Sequence, residues 1–218
     1  MNVQDEMAQN VRIGAKALEG FLRIPEGAFC LVIFAHGAGS SRLSPRNNFV
    51  AEQLGKRGIA TLLFDLLTES EAQERANVFD IPLLSQRVLE AVNWVRAESQ
   101  IAHFPLGLFG SSTGAAAALV AAASQSDVVA AVVSRGGRPD LAGGALPEVR
   151  APTLLIVGSA DHVVIELNES AAEALKCETR LVLVPDATHL FEEPGTLEQV
   201  VYHAADWFTT HLGAKAAT

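Results

Sequence analysis

Gly110-Ser111-Ser112-Thr113-Gly114 is the segment of this 218-residue chain best placed to do chemistry. A serine hydroxyl is a weak nucleophile, and it becomes useful when a tight turn presents it beside a general base. Glycines two residues to either side of Ser112 leave room for such a turn and let a strand and a helix approach closely. The pentapeptide is common by chance, so its context carries the argument. Leu106–Phe109 before it is an apolar run of strand length, and the alanine-rich stretch after it, to about Ala123, reads as a helix. The competing reading is a plain glycine-rich turn. A base and an acid in matching places tell against it.

His189 is the candidate base, because it follows Leu181–Val184, the last strand-like run. The other histidines fit less well. His36 lies in a glycine loop, His103 precedes the strand before Ser112, and His203 and His211 belong to the closing helix. His162 adjoins the candidate acid. A histidine base needs a carboxylate to fix its tautomer and stabilise the imidazolium. Asp161 lies just past the run Thr153–Val157 and completes the chain order Ser, Asp, His. Asp186, three residues before His189, is the rival and is read as shaping the turn.

An oxyanion forming at the attacked carbon needs backbone N–H donors. Thr113, next to the serine, supplies one. Ala38, in His36-Gly37-Ala38-Gly39-Ser40, is expected to supply the other, with Gly39 second. Gly37, Gly39, Ser111 and Phe191 are expected to contact substrate.

These residues need a frame that brings loop ends together. Short apolar runs alternate with helix-like stretches, which implies a mostly parallel sheet with helices on both faces. Val11 to Ile24 reads as a leading hairpin. Strands follow at Phe29–Ala35, Ile59–Asp65, Leu106–Phe109, Val128–Ser134, Thr153–Val157 and Leu181–Val184. Helices follow at Phe49–Arg57, Asp80–Glu98, after Ser112, at Leu167–Leu175 and at Leu197–Leu212. Residues 1–218 then make one α/β domain. Between Val128–Ser134 and Thr153–Val157 there is room for a short helix or loop, not a large cap, so the expected pocket is shallow and suits short acyl esters.

Composition narrows the function classes. With 49% hydrophobic residues the chain can bury a sizeable core. A net charge of −9 disfavours nucleic acid as a partner. Cys30 and Cys177 show no metal or redox spacing and read as reduced structural thiols, which suits a cytoplasmic protein. Met1 to Asn10 is polar and carries acids, so no signal peptide is read there. No apolar run is long enough for a membrane span.

The segments His36-Gly37-Ala38-Gly39, Gly110-x-Ser112-x-Gly114, Gly158-x-x-Asp161 and Thr188-His189-Leu190-Phe191 resemble the dienelactone hydrolase-like branch of the α/β hydrolases. The resemblance runs from about Val11 to Leu212. It implies the α/β-hydrolase fold with a Ser112, Asp161, His189 triad and no metal or organic cofactor. Dienelactone hydrolases proper use a cysteine where this chain has Ser112, which favours a carboxylesterase. The stretch Ser134-Arg135-Gly136-Gly137-Arg138-Pro139-Asp140 is also similar to one in hydrolase domains fused to phosphoribosyltransferases. Arg135 and Arg138 could hold an anionic substrate; the alternative, a turn and helix start with Pro139 in the first helical turn, is favoured. The expected partner is a small ester, with the chain a monomer or small homo-oligomer. A thioesterase, an acyl transferase and a non-catalytic binding protein that keeps the fold are the alternatives.

Overall fold

The computed structural model describes residues 8–213. Met1 to Met7 and the last five residues of the 1–218 span lie outside the described residues. β1 (Gln9–Ile13) and β2 (Leu18–Arg23) form the expected hairpin. There follow β3 (Cys30–Ala35), α1 (Pro45–Gly55), β4 (Ile59–Phe64), α2 (Glu69–Gln73), α3 (Arg75–Val78) and α4 (Ile81–Ala97). Then come β5 (Leu106–Ser111), α5 (Thr113–Ser124), β6 (Val129–Arg135), a 3-10 segment (Pro139–Glu148) and β7 (Thr153–Gly158). α6 (His162–Ala174), β8 (Thr179–Val184) and α7 (Thr196–Leu212) close the chain.

The eight strands form one sheet in the order β1-β2-β4-β3-β5-β6-β7-β8. β2 pairs antiparallel with β1 and β4, and every pair from β4 to β8 is parallel. Central parallel strands are covered on both faces and so read as unbroken apolar runs, and β3, β4 and β7 are buried at every position. Successive side chains alternate between two cores. Leu31 and Ile33 face the core under α4 and α5. Val32 and Phe34 face the core under α1 and α7, where Phe34 stacks on Phe109 at 4.7 Å. The connection from β6 to β7 is only the short 3-10 segment, so no large cap covers the sheet edge. No helix among the described residues is long and apolar enough to cross a membrane.

Two helix starts lie well before the sequence expectation, and two short helices are new. α1 begins at Pro45, because Ser44 caps it through Asn47 N–H and Pro45 pre-sets the first turn. α6 begins at His162, directly after Asp161. α2 and α3 were not expected at all. They bury no side chain, so they carry no apolar stripe, although Thr68 and Glu71 form a reciprocal capping box that marks the start.

Candidate active site

Ser112 sits between β5 and α5 with φ 50° and ψ −124°. These are the angles of the first central residue of a type II′ turn, a position glycine normally fills. The close approach that holds this turn explains the flanking glycines. A Cβ at Gly110 would lie 2.4 Å from the Ala115 Cα, and one at Gly114 would lie 2.1 Å from the Ala35 carbonyl oxygen. Among the described residues, four non-glycines have positive φ: Ala17, Ser112, Asp186 and Phe191. All but Ala17 belong to the loops that carry the candidate catalytic groups.

Asp161 and His189 are brought together as expected. His189 Nδ1 lies 2.7 Å from Asp161 Oδ2. Asp161 occupies the N-cap of α6, where an aspartate commonly accepts from the helix backbone, yet its side chain makes no such bond. It is directed to His189 instead, which puts the Nδ1 proton on the shared side and leaves Nε2 facing outward. Asp186 is exposed, and among the described residues its backbone N–H alone is engaged, donating to Ser159 Oγ at 2.9 Å. Its part is in the turn.

The acid and base loops are stitched by main-chain bonds. Ser159 N–H donates to the Val184 carbonyl (2.9 Å) and Ala160 N–H to the Ala187 carbonyl (3.0 Å). Glu193 pins the base loop, accepting from Thr188 Oγ1 at 2.6 Å and Thr188 N–H at 3.2 Å, and the Thr188 hydroxyl bond holds its carboxyl below the usual range. Ser159 and Glu193 went unread in the sequence, since neither belongs to a spacing pattern.

The turn after β6 links both halves. Arg138 N–H donates to the Ser112 carbonyl at 3.0 Å, and a Cβ at Gly136 would lie 3.1 Å from the His189 carbonyl oxygen. His189 has no hydrogen bond to Ser112 among the described residues. Such bonds are commonly long without substrate and tighten in the complex.

The N–H groups expected to hold an oxyanion have no backbone acceptor among the described residues. Thr113 is the first residue of α5, so its N–H has no intrahelical acceptor. Ala38 N–H donates to no backbone carbonyl among the described residues. A Cβ at Gly37 would lie 2.8 Å from the Ser112 Cβ. Gly37→Ala should therefore displace the Ser112 side chain or the loop while leaving the sheet core intact. We expect a loss of about 10²-fold in turnover, the scale of a 1 Å misplacement, with a melting temperature close to that of the native chain. Parallel kinetics and thermal melts check this.

His36 organises the same loop and is buried. Its Nε2 accepts from Leu66 N–H at 3.0 Å, so Nδ1 carries the proton and donates to the Gly37 carbonyl at 3.0 Å. Burial holds its pKa below the ordinary histidine value, opposed by the bond to Gly37 and by Asp65. The unfolded chain thus binds a proton on acidification that the native His36 refuses. Stability should begin to fall as pH drops below about 6.5, the ordinary histidine value. His203, lowered by burial and by Arg180, adds in the same direction. Urea midpoints from pH 7.5 to 5 should show the fall, and His36→Gln should flatten it.

Arg138 takes the turn-and-helix-start role. It holds Asp140 through two bonds of 2.9 and 2.8 Å, which raise its pKa, and Pro139 opens the 3-10 segment. Arg135 does not. It ends β6 as a buried side chain, with Nη2 3.4 Å from Asn47 Oδ1 and its guanidinium 5.9 Å from the centre of the Phe191 ring. Burial, then the nearby Arg46, pushes its pKa down to about 10.

A cavity of about 640 Å³ opens beside the oxyanion loop, lined by Gly37, Ala38, Gly39 and Thr113 and walled by the β1–β2 turn and residues 65–78. One wall comes from the segment between β4 and α4, which the sequence reading did not assign to the site. Phe191 and Ser111, expected to contact substrate, are corrected. Both are buried, Phe191 in the core under α1 and α7, and neither lines the cavity.

Comparison with known proteins agrees with this architecture. Residues 29–209 match the family described as "Alpha/beta hydrolase domain". A dienelactone hydrolase structure from Anabaena variabilis is 53% identical, covers 95% of this chain and 98% of its own, and superposes with a TM-score of 0.91. Est1E from Butyrivibrio proteoclasticus, 17% identical with a TM-score of 0.79 and covering 94% of this chain and 98% of its own, shares the fold. A Mycobacterium tuberculosis protein with a provisional phosphoribosyl transferase name is 56% identical over 96% of this chain. This chain spans 47% of that protein's length. With the serine turn, the acid–base pair and the parallel sheet that carries them, the chain belongs to the α/β-hydrolase family, in its dienelactone hydrolase-like branch.

Proposed function

We propose that this chain is a serine-dependent carboxylic ester hydrolase. The observation that carries the reading is the 2.7 Å bond from His189 Nδ1 to Asp161, in a loop joined through Gly136 and Arg138 to the Ser112 turn. Ser112 Oγ attacks the ester carbon while its proton passes to His189 Nε2. The carbonyl electrons move onto oxygen, which the N–H groups of Thr113 and Ala38 hold. Collapse breaks the carbon–alkoxy bond, and His189 returns the proton to the departing alcohol. Water then repeats the sequence on the acyl-serine, releasing the acid and restoring Ser112. The reaction needs an ester and water, with no metal, organic cofactor, nucleic acid or membrane, and we place it in the cytoplasm. Short acyl esters are admitted, and the 640 Å³ cavity leaves room for larger acyl groups.

The test is pre-steady-state hydrolysis of 4-nitrophenyl acetate. An acyl-enzyme gives a burst of nitrophenol proportional to the enzyme, and hydroxylamine converts the trapped acyl group to a hydroxamate. Absence of both burst and adduct, with turnover intact, would mean that water attacks directly and Ser112 is not acylated. Thioester substrates in the same assay separate a thioesterase.

A further inference from the structure

We propose that the cavity beside the oxyanion loop takes the acyl half of the ester, that it selects uncharged apolar acyl groups larger than acetyl, and that the alcohol half meets little selection. This rests on the ester-hydrolase reading above. Strand order carries the first step. Ser112 follows β5, while Asp161 and His189 follow β7 and β8 on one side of it. The cavity lies over β1, β2, β4 and β3 on the other side. His189 must protonate the leaving alcohol, so that oxygen sits on the β6–β8 side. The oxyanion points to the Thr113 and Ala38 N–H groups, which themselves border the cavity. The remaining substituent on the tetrahedral carbon is the acyl chain, and the cavity opens next to it.

The lining decides the chemistry. Leu18, Leu66, Leu67, Val78 and Leu84 supply an apolar interior, and a cavity of about 640 Å³ is within the usual size of small-molecule sites. Both cations of the wall already face carboxylates. Arg42 is held between Glu19 and Asp65, and Lys16 lies 3.7 Å from Glu71. Glu69 adds a further negative charge at the rim. An acyl group carrying its own carboxylate therefore finds no unmatched cation there. On the alcohol side, Val163 in the first turn of α6, two residues after Asp161, is 70% exposed, and Leu190, next to His189, is 42% exposed.

The experiment is a set of 4-nitrophenyl esters with acetyl, hexanoyl, 3-phenylpropanoyl and hemisuccinyl groups, beside acetyl esters of varied alcohols. We expect kcat/KM for hexanoyl and 3-phenylpropanoyl to exceed acetyl by at least about tenfold, and hemisuccinyl to fall below them. Ala72 is an exposed residue of α2 on the cavity wall, so Ala72→Trp can narrow the cavity without entering the core. It should lower the hexanoyl-to-acetyl ratio at least tenfold and leave the ratios among alcohols unchanged. If Ala72→Trp shifts the alcohol ratios instead, or neither set, the assignment of the acyl group is overturned. A hemisuccinyl ester preferred over hexanoyl overturns the charge selection. Failure of the parent reading looks different: no ester is hydrolysed and Ser112 is not acylated.

Discussion

Ser112→Ala will hydrolyse esters on the order of 10⁶-fold more slowly than the native chain, the scale on which losing a nucleophile collapses a catalytic unit. The substitution deletes one half-buried hydroxyl that caps no helix, so the fold should remain. Ser112→Gly separates chemistry from strain. A non-glycine at φ 50° costs about 1–3 kcal/mol, whereas glycine loses about 0.4–1 kcal/mol through its freer unfolded chain. Relief of strain wins, so Ser112→Gly should melt above Ser112→Ala while being equally inactive. Active-site-independent melts of the two variants check the second point. Ester turnover of the Ala variant within tenfold of native would remove Ser112 from the mechanism.

Asp161→Asn will cost about 10⁴-fold in turnover, as when the acid of such a triad becomes an amide. The amide presents a donor or a neutral oxygen to Nδ1, so His189 is no longer held in the tautomer that leaves Nε2 free to accept the serine proton. Asp186→Asn should stay within a few fold, because among the described residues only the backbone of Asp186 is engaged and asparagine tolerates a positive φ nearly as well. Steady-state kinetics on the two variants ranks them. A larger loss at Asp186 would assign the acid to the wrong loop.

Much of the frame was legible because each signal was local. Unbroken apolar runs marked β3, β4 and β7, and the flanking glycines marked the strained turn at Ser112. Chain order alone selected Asp161 over Asp186, although nothing in the spacing could give the 2.7 Å contact or the stitching of the two loops through Ser159. The cavity wall was not legible. α2 and α3 are short and polar, without an apolar face, and their one signal is the Thr68–Glu71 capping box. Arg135 was misread for a different reason. Arginines are seldom buried, so an arginine at a strand end reads as part of the following turn, whereas this one continues β6 and lies under Phe191.

The site also shows where the structure gives up local ease. Ser112, Asp186 and Phe191 adopt positive φ within the loops that carry the proposed nucleophile and base. Glycines and main-chain bonds surround these loops, and the side chains of Ser159 and Glu193 add bonds to the backbone of Asp186 and Thr188.

The most direct measurement is peptide-level mass spectrometry after reaction with a fluorophosphonate. The probe reports a serine activated by its own base, independent of which ester the protein prefers. The account predicts one covalent adduct, on Ser112, lost in Ser112→Ala and strongly slowed in His189→Ala. A folded native chain that takes no adduct, or takes it on another serine with Ser112 untouched, would contradict it.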